Sequence, residues 1–162
     1  MGQGTKSICI VTPFYKEAIT RDEEISLKHL RHFLGRYDRC LVAPEGLKLD
    51  YPDFSIKRFD AGFFEDIPSY TRLLLSREFY EAFAGYKHIL IYQFDCLAFS
   101  DELMRWCEMG YDYMGGPWLR SKKEPQRGFS RVGNGGLSLR RVESFLKVID
   151  SQRYIKEHVS YL

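Results

Sequence analysis

The 162 residues carry 24 basic and 22 acidic side chains, a formal charge of +2, with 44% hydrophobic and 28% charged residues. That balance fits one soluble domain with its own core, and the lack of a basic arm or stripe argues against nucleic acid as a partner. No apolar run reaches the ~20 residues of a membrane span and no signal peptide precedes Ser7, so a cytoplasmic location is expected.

Residues 1–6 read as a disordered or tag-like leader to a single domain spanning 1–162. Ser7–Thr12 is a short β-branched run ending at Pro13, a first buried strand. Thr20-Arg-Asp-Glu23 has the form of a capping box. Leu27, Leu30, Phe33 and Leu34 then make a helical stripe closed by Gly35. Arg39–Ala43 is a second strand stopped by Pro44-Glu45-Gly46, and Phe54–Phe59 alternates as a third. Ser69 is expected to cap a second helix with Leu75, Phe79 and Phe83 on one face and Gly85 at its end. His88–Tyr92, the most apolar strand, belongs at the centre of the sheet. Asp101–Glu108 is a short helix, and Tyr111–Met114 leads into Gly115-Gly116-Pro117. The polar stretch 120–131 reads as a mobile loop, and Val142, Phe145, Leu146 and Ile149 mark a last helix. Alternating strands and helices predict a mainly parallel sheet with helices on its faces. Cys9, Cys40, Cys96 and Cys107 lie far apart with no Cys-x-x-Cys and read as free thiols.

In an open α/β sheet, ligands bind beyond the carboxyl ends of the strands. That rule selects Thr12 to Tyr15, Glu45, Asp60 and Gln93 to Cys96, with Arg72 near a helix start, where an arginine suits phosphate. Each residue also has a plainer reading. Tyr15 could meet a nucleobase or simply pack, Asp95 could bind a ligand or cap backbone amides, and Arg72 could pair with a surface acid. Gly133-Asn-Gly-Gly136 lets backbone amides approach a sugar, and Asn134 adds a two-way hydrogen-bonding group. The same residues also read as a turn feeding the last helix, since Asn-Gly is a hairpin signal. Trp118 could stack on a sugar ring or sit in the core, as Trp106 is expected to do. His29 and His32 share a helix face with no acidic partner set and are read as solvated. The 15% aromatic share is compatible with a carbohydrate ligand.

Tyr70-Thr-Arg-Leu-Leu-Leu75 followed by Ile89–Asp101 resembles the donor-site segment of GT-A-fold glycosyltransferases, particularly glycosyltransferase family 8. There a Tyr-x-Arg-Leu helix leads into an apolar strand ending in Asp-x-Asp. In register, Gln93-Phe94-Asp95 takes the Asp-x-Asp slot, and Ser100-Asp101 falls where that family has Gly-Asp. A broader set of segments is similar to a bacterial family of domains of unknown function found in glycosyltransferase-like proteins and carrying Gln-x-Asp. They are Phe63-Phe64, Tyr70–Ser76, Tyr92–Asp95, Trp106–Tyr113, Gly116-Pro-Trp118 and Val132–Arg140.

These resemblances imply a GT-A-like (Rossmann-like) α/β fold, mainly parallel, with helices on both faces. They imply a nucleotide-sugar donor held by Thr12, Tyr15, Asp60, Arg72, Gln93 and Asp95. A glycan or other hydroxyl acceptor would then meet Gly116, Trp118, Asn134, Gly135 and Gly136. In family 8 the paired carboxylates hold a divalent cation, manganese or magnesium, that neutralises the diphosphate as a Lewis acid. Here Asp95 is the remaining metal ligand and Gln93 a neutral amide, which leaves Arg72, Arg131 and Arg140 as candidates to take over the charge.

The implied activity is sugar transfer from a nucleotide diphosphate to a hydroxyl, in surface-glycan synthesis. The alternatives are a non-catalytic glycosyltransferase-like module that binds a nucleotide sugar or a partner chain, and a nucleotidyltransferase or other nucleotide-binding domain. The resemblance also implies a C-terminal truncation. GT-A domains run longer, with their base after the glycine-rich segment, whereas Glu157 is the only acid between Ser151 and Leu162.

Overall fold

The apolar run near the start forms strand β1 (Lys6–Pro13) in the computed structural model, which describes residues 5–121 and 123–151. After it come α1 (Arg21–Leu34), β2 (Asp38–Pro44), β3 (Ser55–Phe59), α2 (Ile67–Leu74), α3 (Arg77–Glu81) and β4 (Tyr86–Tyr92). Then follow α4 (Leu103–Glu108), β5 (Tyr113–Leu119), β6 (Phe129–Arg141) and α5 (Val142–Asp150). The described strands form one six-stranded sheet in the order β3-β2-β1-β4-β6-β5.

Strand periodicity sorts the core into two layers. Ile8 and Ile10 of β1, Leu41 of β2 and Leu90 and Tyr92 of β4 face α1 and α4. Their neighbours Cys9, Val11, Cys40, Val42, Ile89 and Ile91 face α2, α3 and α5. Helices therefore cover both faces, and residues 88–92 are buried throughout, as a central strand requires.

The sheet is less parallel than expected. The β1–β2, β2–β3 and β1–β4 pairs are parallel, whereas β4–β6 and β6–β5 are antiparallel. For β5 and β6 the cause is local: they follow one another through a connection too short for the crossover that parallel neighbours need. The expected loop 120–131 ends early, because β6 begins at Phe129. The glycines at 133–136 lie inside β6, not in a turn, although the register against β5 slips around Gly116 and again after Trp118.

Local signals explain the other outcomes. Thr20 Oγ1 accepts from the Glu23 amide and Glu23 accepts from the Thr20 amide, so the capping box forms. Gly35 ends α1 with a right-handed φ of −63°, not a left-handed cap, and Arg39 donates to its carbonyl at 2.5 Å. The single expected helix from Ser69 is two helices. Asp66 caps α2, placing Ser69 inside it, and Ser76 caps α3 by accepting from the Phe79 amide. The residue between them, Leu75, leaves the helical region at φ −111°, ψ 3°. Lys6, expected to fall before the first strand, belongs to β1, and its N–H donates to the Gly85 carbonyl; residues 1–4 of the expected leader lie outside the described residues.

His29 is half-buried rather than solvated. Its Nδ1 lies 2.8 Å from the Ala98 carbonyl, and its ring meets Phe99 edge-on. Trp106 is 43% exposed, not core. All four cysteines are free, three of them buried. No helix among the described residues is long and apolar enough to cross a membrane.

Candidate functional site at the rim of β1 and β4

The carboxyl ends of β1 and β4 lie side by side, with Val11 opposite Ile91. The segments that leave them, Phe14–Lys16 and Gln93–Asp95, therefore spread from one point on the sheet's rim. A third wall comes from Phe64 to Tyr70, where the chain enters α2. These three segments and Glu23 enclose a cavity of about 490 Å3, within the range of about 300–1,000 Å3 common for small-molecule sites. Its walls are aromatic (Phe14, Tyr15, Phe64, Tyr70 and Phe94), and its polar rim is acidic. Among the lining residues the single cation, Lys16, is paired with Glu23 at 2.6 Å. Glu65, Asp66 and Asp95 remain. Asp66 is committed to capping α2, and its bonds with Ser69 hold its carboxyl below the usual range. Asp95 is exposed and makes no ion pair among the described residues.

The floor is built around Gln93. Its N–H donates to the Gly136 carbonyl at 2.9 Å, and its side chain lies across that glycine, since a Cβ there would stand 2.6 Å from Gln93 Oε1. Burial pushes the Tyr70 hydroxyl up to about 12, against the pull of Arg140 and of the neighbouring Gln93 amide. Asn134 turns its side-chain oxygen onto the Gly136 amide at 3.0 Å, and Ser138 Oγ donates to the Gly135 carbonyl at 3.0 Å.

Of the residues expected to hold a donor, Tyr15, Gln93 and Asp95 line this cavity. The others do not. Thr12 is fully buried, with a hydroxyl that has no partner among the described residues, because its place within β1 turns it into the core. Asp60 is spent on a turn, its Oδ1 accepting from the Gly62 amide. Glu45 lies outside the lining. Arg72 sits in the last turn of α2, where the helix dipole opposes an anion, and donates to Ser69 Oγ.

Among the acceptor candidates, Asn134, Gly135 and Gly136 are not in the cavity's lining; Gly136 meets it through Gln93, and Asn134 bonds to Gly136. Gly116 pairs with Asn134 and lines a separate apolar groove of about 380 Å3 beside α4. Trp118 is 45% exposed and lies against Gly133 on β5 and β6. Asp101, placed in the Gly-Asp slot, is bound by Arg36 and Tyr37 near the end of α1. The side chain of Arg131 and residue Glu157 lie outside the described residues. Tyr70, Phe64 and Glu65 were missed as cavity residues. The Tyr-x-Arg-Leu motif contains Tyr70, but helix phase, visible only in three dimensions, turns the tyrosine and not the arginine inward.

One carboxylate and one neutral amide do not fit a resident divalent cation. Hard cations take six or more oxygens with carboxylates prominent among them, and the described residues contain no group of three or more His, Cys, Asp or Glu suited to a metal. No step is therefore assigned to one.

No curated protein matches the chain. A family model described as "Protein of unknown function (DUF5672)" matches residues 53–161, which contain two of the cavity's three walls but not the β1 wall. That match spans more than half of the sequence, and the protein belongs to the DUF5672 family.

Proposed function

We propose that the cavity binds a nucleotide sugar and that the protein transfers the sugar to a hydroxyl acceptor, as a GT-A-like glycosyltransferase. The observation that carries this reading is the position of Asp95: an exposed carboxylate free of ion pairs among the described residues, at the end of the central strand, inside an aromatic cavity. An ionised carboxylate accepts hydrogen bonds from the vicinal hydroxyls of a ribose or a sugar. Tyr15, 61% exposed at the mouth, offers a face for a nucleobase. Tyr70 keeps its proton at neutral pH and can donate it to a phosphate oxygen. The glycines of β6 stand on the Gln93 side, where close backbone approach suits a transferred sugar.

A second reading, binding without transfer, draws on Gln93. A neutral amide lying across Gly136 gives a departing diphosphate less help than a carboxylate-held cation would.

Calorimetric titration with uridine, guanosine and thymidine diphosphate sugars, with and without manganese, tests the shared premise. The expected result is micromolar to millimolar binding of at least one donor, and no heat from any of them at millimolar concentration would overturn it. Release of nucleoside diphosphate in the presence of hydroxyl acceptors separates transfer from binding alone.

A further inference from the structure

Arg140 is a buried cation without a counter-ion among the described residues. It lies on β6 opposite Ile89 and is 5% exposed. No carboxylate pairs with it among the described residues. Its partners are neutral. Nε donates to Ser138 Oγ at 3.0 Å and Nη1 to the Tyr80 hydroxyl at 2.8 Å. The rings of Phe145 and Tyr113 lie 5.3 and 6.0 Å from the guanidinium carbon. Such contacts offset part of the cost of burying a charge, yet a guanidinium held only by hydroxyls and rings lacks the anion it is shaped to receive.

Nη2 makes no hydrogen bond among the described residues, and it lies beside Gly135, the neighbour in β6 of the Gly136 that Gln93 covers. A Cβ on Gly135 would stand 3.3 Å from it. Gly135 is half-buried and its φ is not positive, so the backbone does not demand glycine there. With glycine at 135, no Cβ covers the guanidinium on that side, and Arg140 lies close enough to Tyr70, which lines the cavity, to act on its hydroxyl.

We infer that Arg140, reached past Gly135, anchors a phosphate oxygen of the ligand. The subsite supplies from the protein the positive charge that the donor set at Gln93 and Asp95 does not hold as a metal. Where the phosphate is the donor's diphosphate, this rests on the reading above. The guanidinium's geometry serves equally for a phosphorylated acceptor.

The test is calorimetry in EDTA with inorganic pyrophosphate, uridine diphosphate and uridine, on the wild type, Gly135→Ala and Arg140→Gln. The wild type should bind pyrophosphate without a divalent cation. Gly135→Ala, which caps the guanidinium and keeps its charge, should weaken that binding at least tenfold with a near-unchanged melting temperature. Arg140→Gln should abolish it, and if that variant does not fold, Gly135→Ala decides. No pyrophosphate binding by the wild type in EDTA, or equal affinity in Gly135→Ala, overturns the subsite. In that event, nucleotide-sugar binding in manganese would leave the donor reading standing. Pyrophosphate binding that depends on Gly135, with silence from every nucleotide sugar, keeps the subsite and removes the donor reading. A gain for uridine diphosphate over both pyrophosphate and uridine identifies the donor as the source of the phosphate. Equal affinity for uridine diphosphate and pyrophosphate, with no uridine binding, points to a phosphorylated acceptor and keeps the subsite.

Discussion

Gln93 and Gly136 are joined twice. The Gln93 N–H donates to the Gly136 carbonyl at 2.9 Å, and the Gln93 side chain occupies the space a Cβ on Gly136 would need, 2.6 Å from Oε1. The glutamine and the glycine act as one unit, and the shape of the cavity floor depends on both.

Gly136→Ala should therefore displace the Gln93 amide and weaken ligand binding, at a stability cost of about 1–2 kcal/mol for overpacking. Gln93→Ala opens the space again. Denaturant unfolding of both single variants and the double should show the pair less destabilised than the sum of its parts. Strict additivity would mean the contact carries no energy.

Asp95→Asn removes a charge that is exposed and unpaired among the described residues. The melting temperature should hold within about 2 °C, since surface changes of this kind stay within ±0.5 kcal/mol, while donor affinity falls at least tenfold. A loss of stability with donor binding intact would assign Asp95 to the fold.

His88 is buried in β4, and its Nδ1 has no partner among the described residues. Burial, with Lys87 and Arg141 adding to it, holds its pKa below the usual histidine value. The unfolded chain thus takes up this proton first. Stability is complete above the unfolded pKa of about 6.5 and declines as pH falls below it. Melting curves between pH 7.5 and 5.5 should show that decline, and His88→Leu should flatten it. An unchanged slope would mean another group titrates.

Thr20→Ala breaks the capping box of α1 and should cost about 1 kcal/mol. Burial raises the Glu23 pKa, but the bonds from Lys16 and Thr20 outweigh it and lower the pKa on balance. Its contribution is present above the unfolded carboxylate value of about 4.3 and is lost as pH falls below that. In Thr20→Ala the loss on acidification should be smaller than in the wild type, by denaturant midpoints at pH 7 and pH 3.5.

The strands and first helix were readable because their signals are local. Ser7–Thr12 and His88–Tyr92 are apolar on both faces, and only a strand covered by helices on each side buries such a run. Thr20 and Glu23 meet across one helical turn, so their spacing alone implies their contact. The rim of β1 and β4 was legible for the same reason, since parallel strands in an α/β sheet end together. That rule picked out Tyr15, Gln93 and Asp95, together with Thr12, Glu45 and Asp60, which do not line the cavity.

Tertiary packing decided the rest. Glycines read as a turn became the interior of β6, because Asn134 pairs with Gly116 of β5 on one side and the Gly136 carbonyl accepts from the Gln93 N–H on the other. Arg72 and Tyr70 are two residues apart, yet helix phase turns one to solvent and the other to the cavity. Thr12 is buried within β1, whereas Tyr15, just past the strand's end, is exposed at the cavity. Arg140 was one of three arginines the sequence offered, and its burial without a counter-ion among the described residues follows from Tyr80 of α3 and Phe145 of α5 converging on it beside Ser138 of its own strand. A one-dimensional pattern records the chemistry each residue can offer. Which of those groups share a space, and which charge is left without a partner, is set by contacts between residues far apart in the chain.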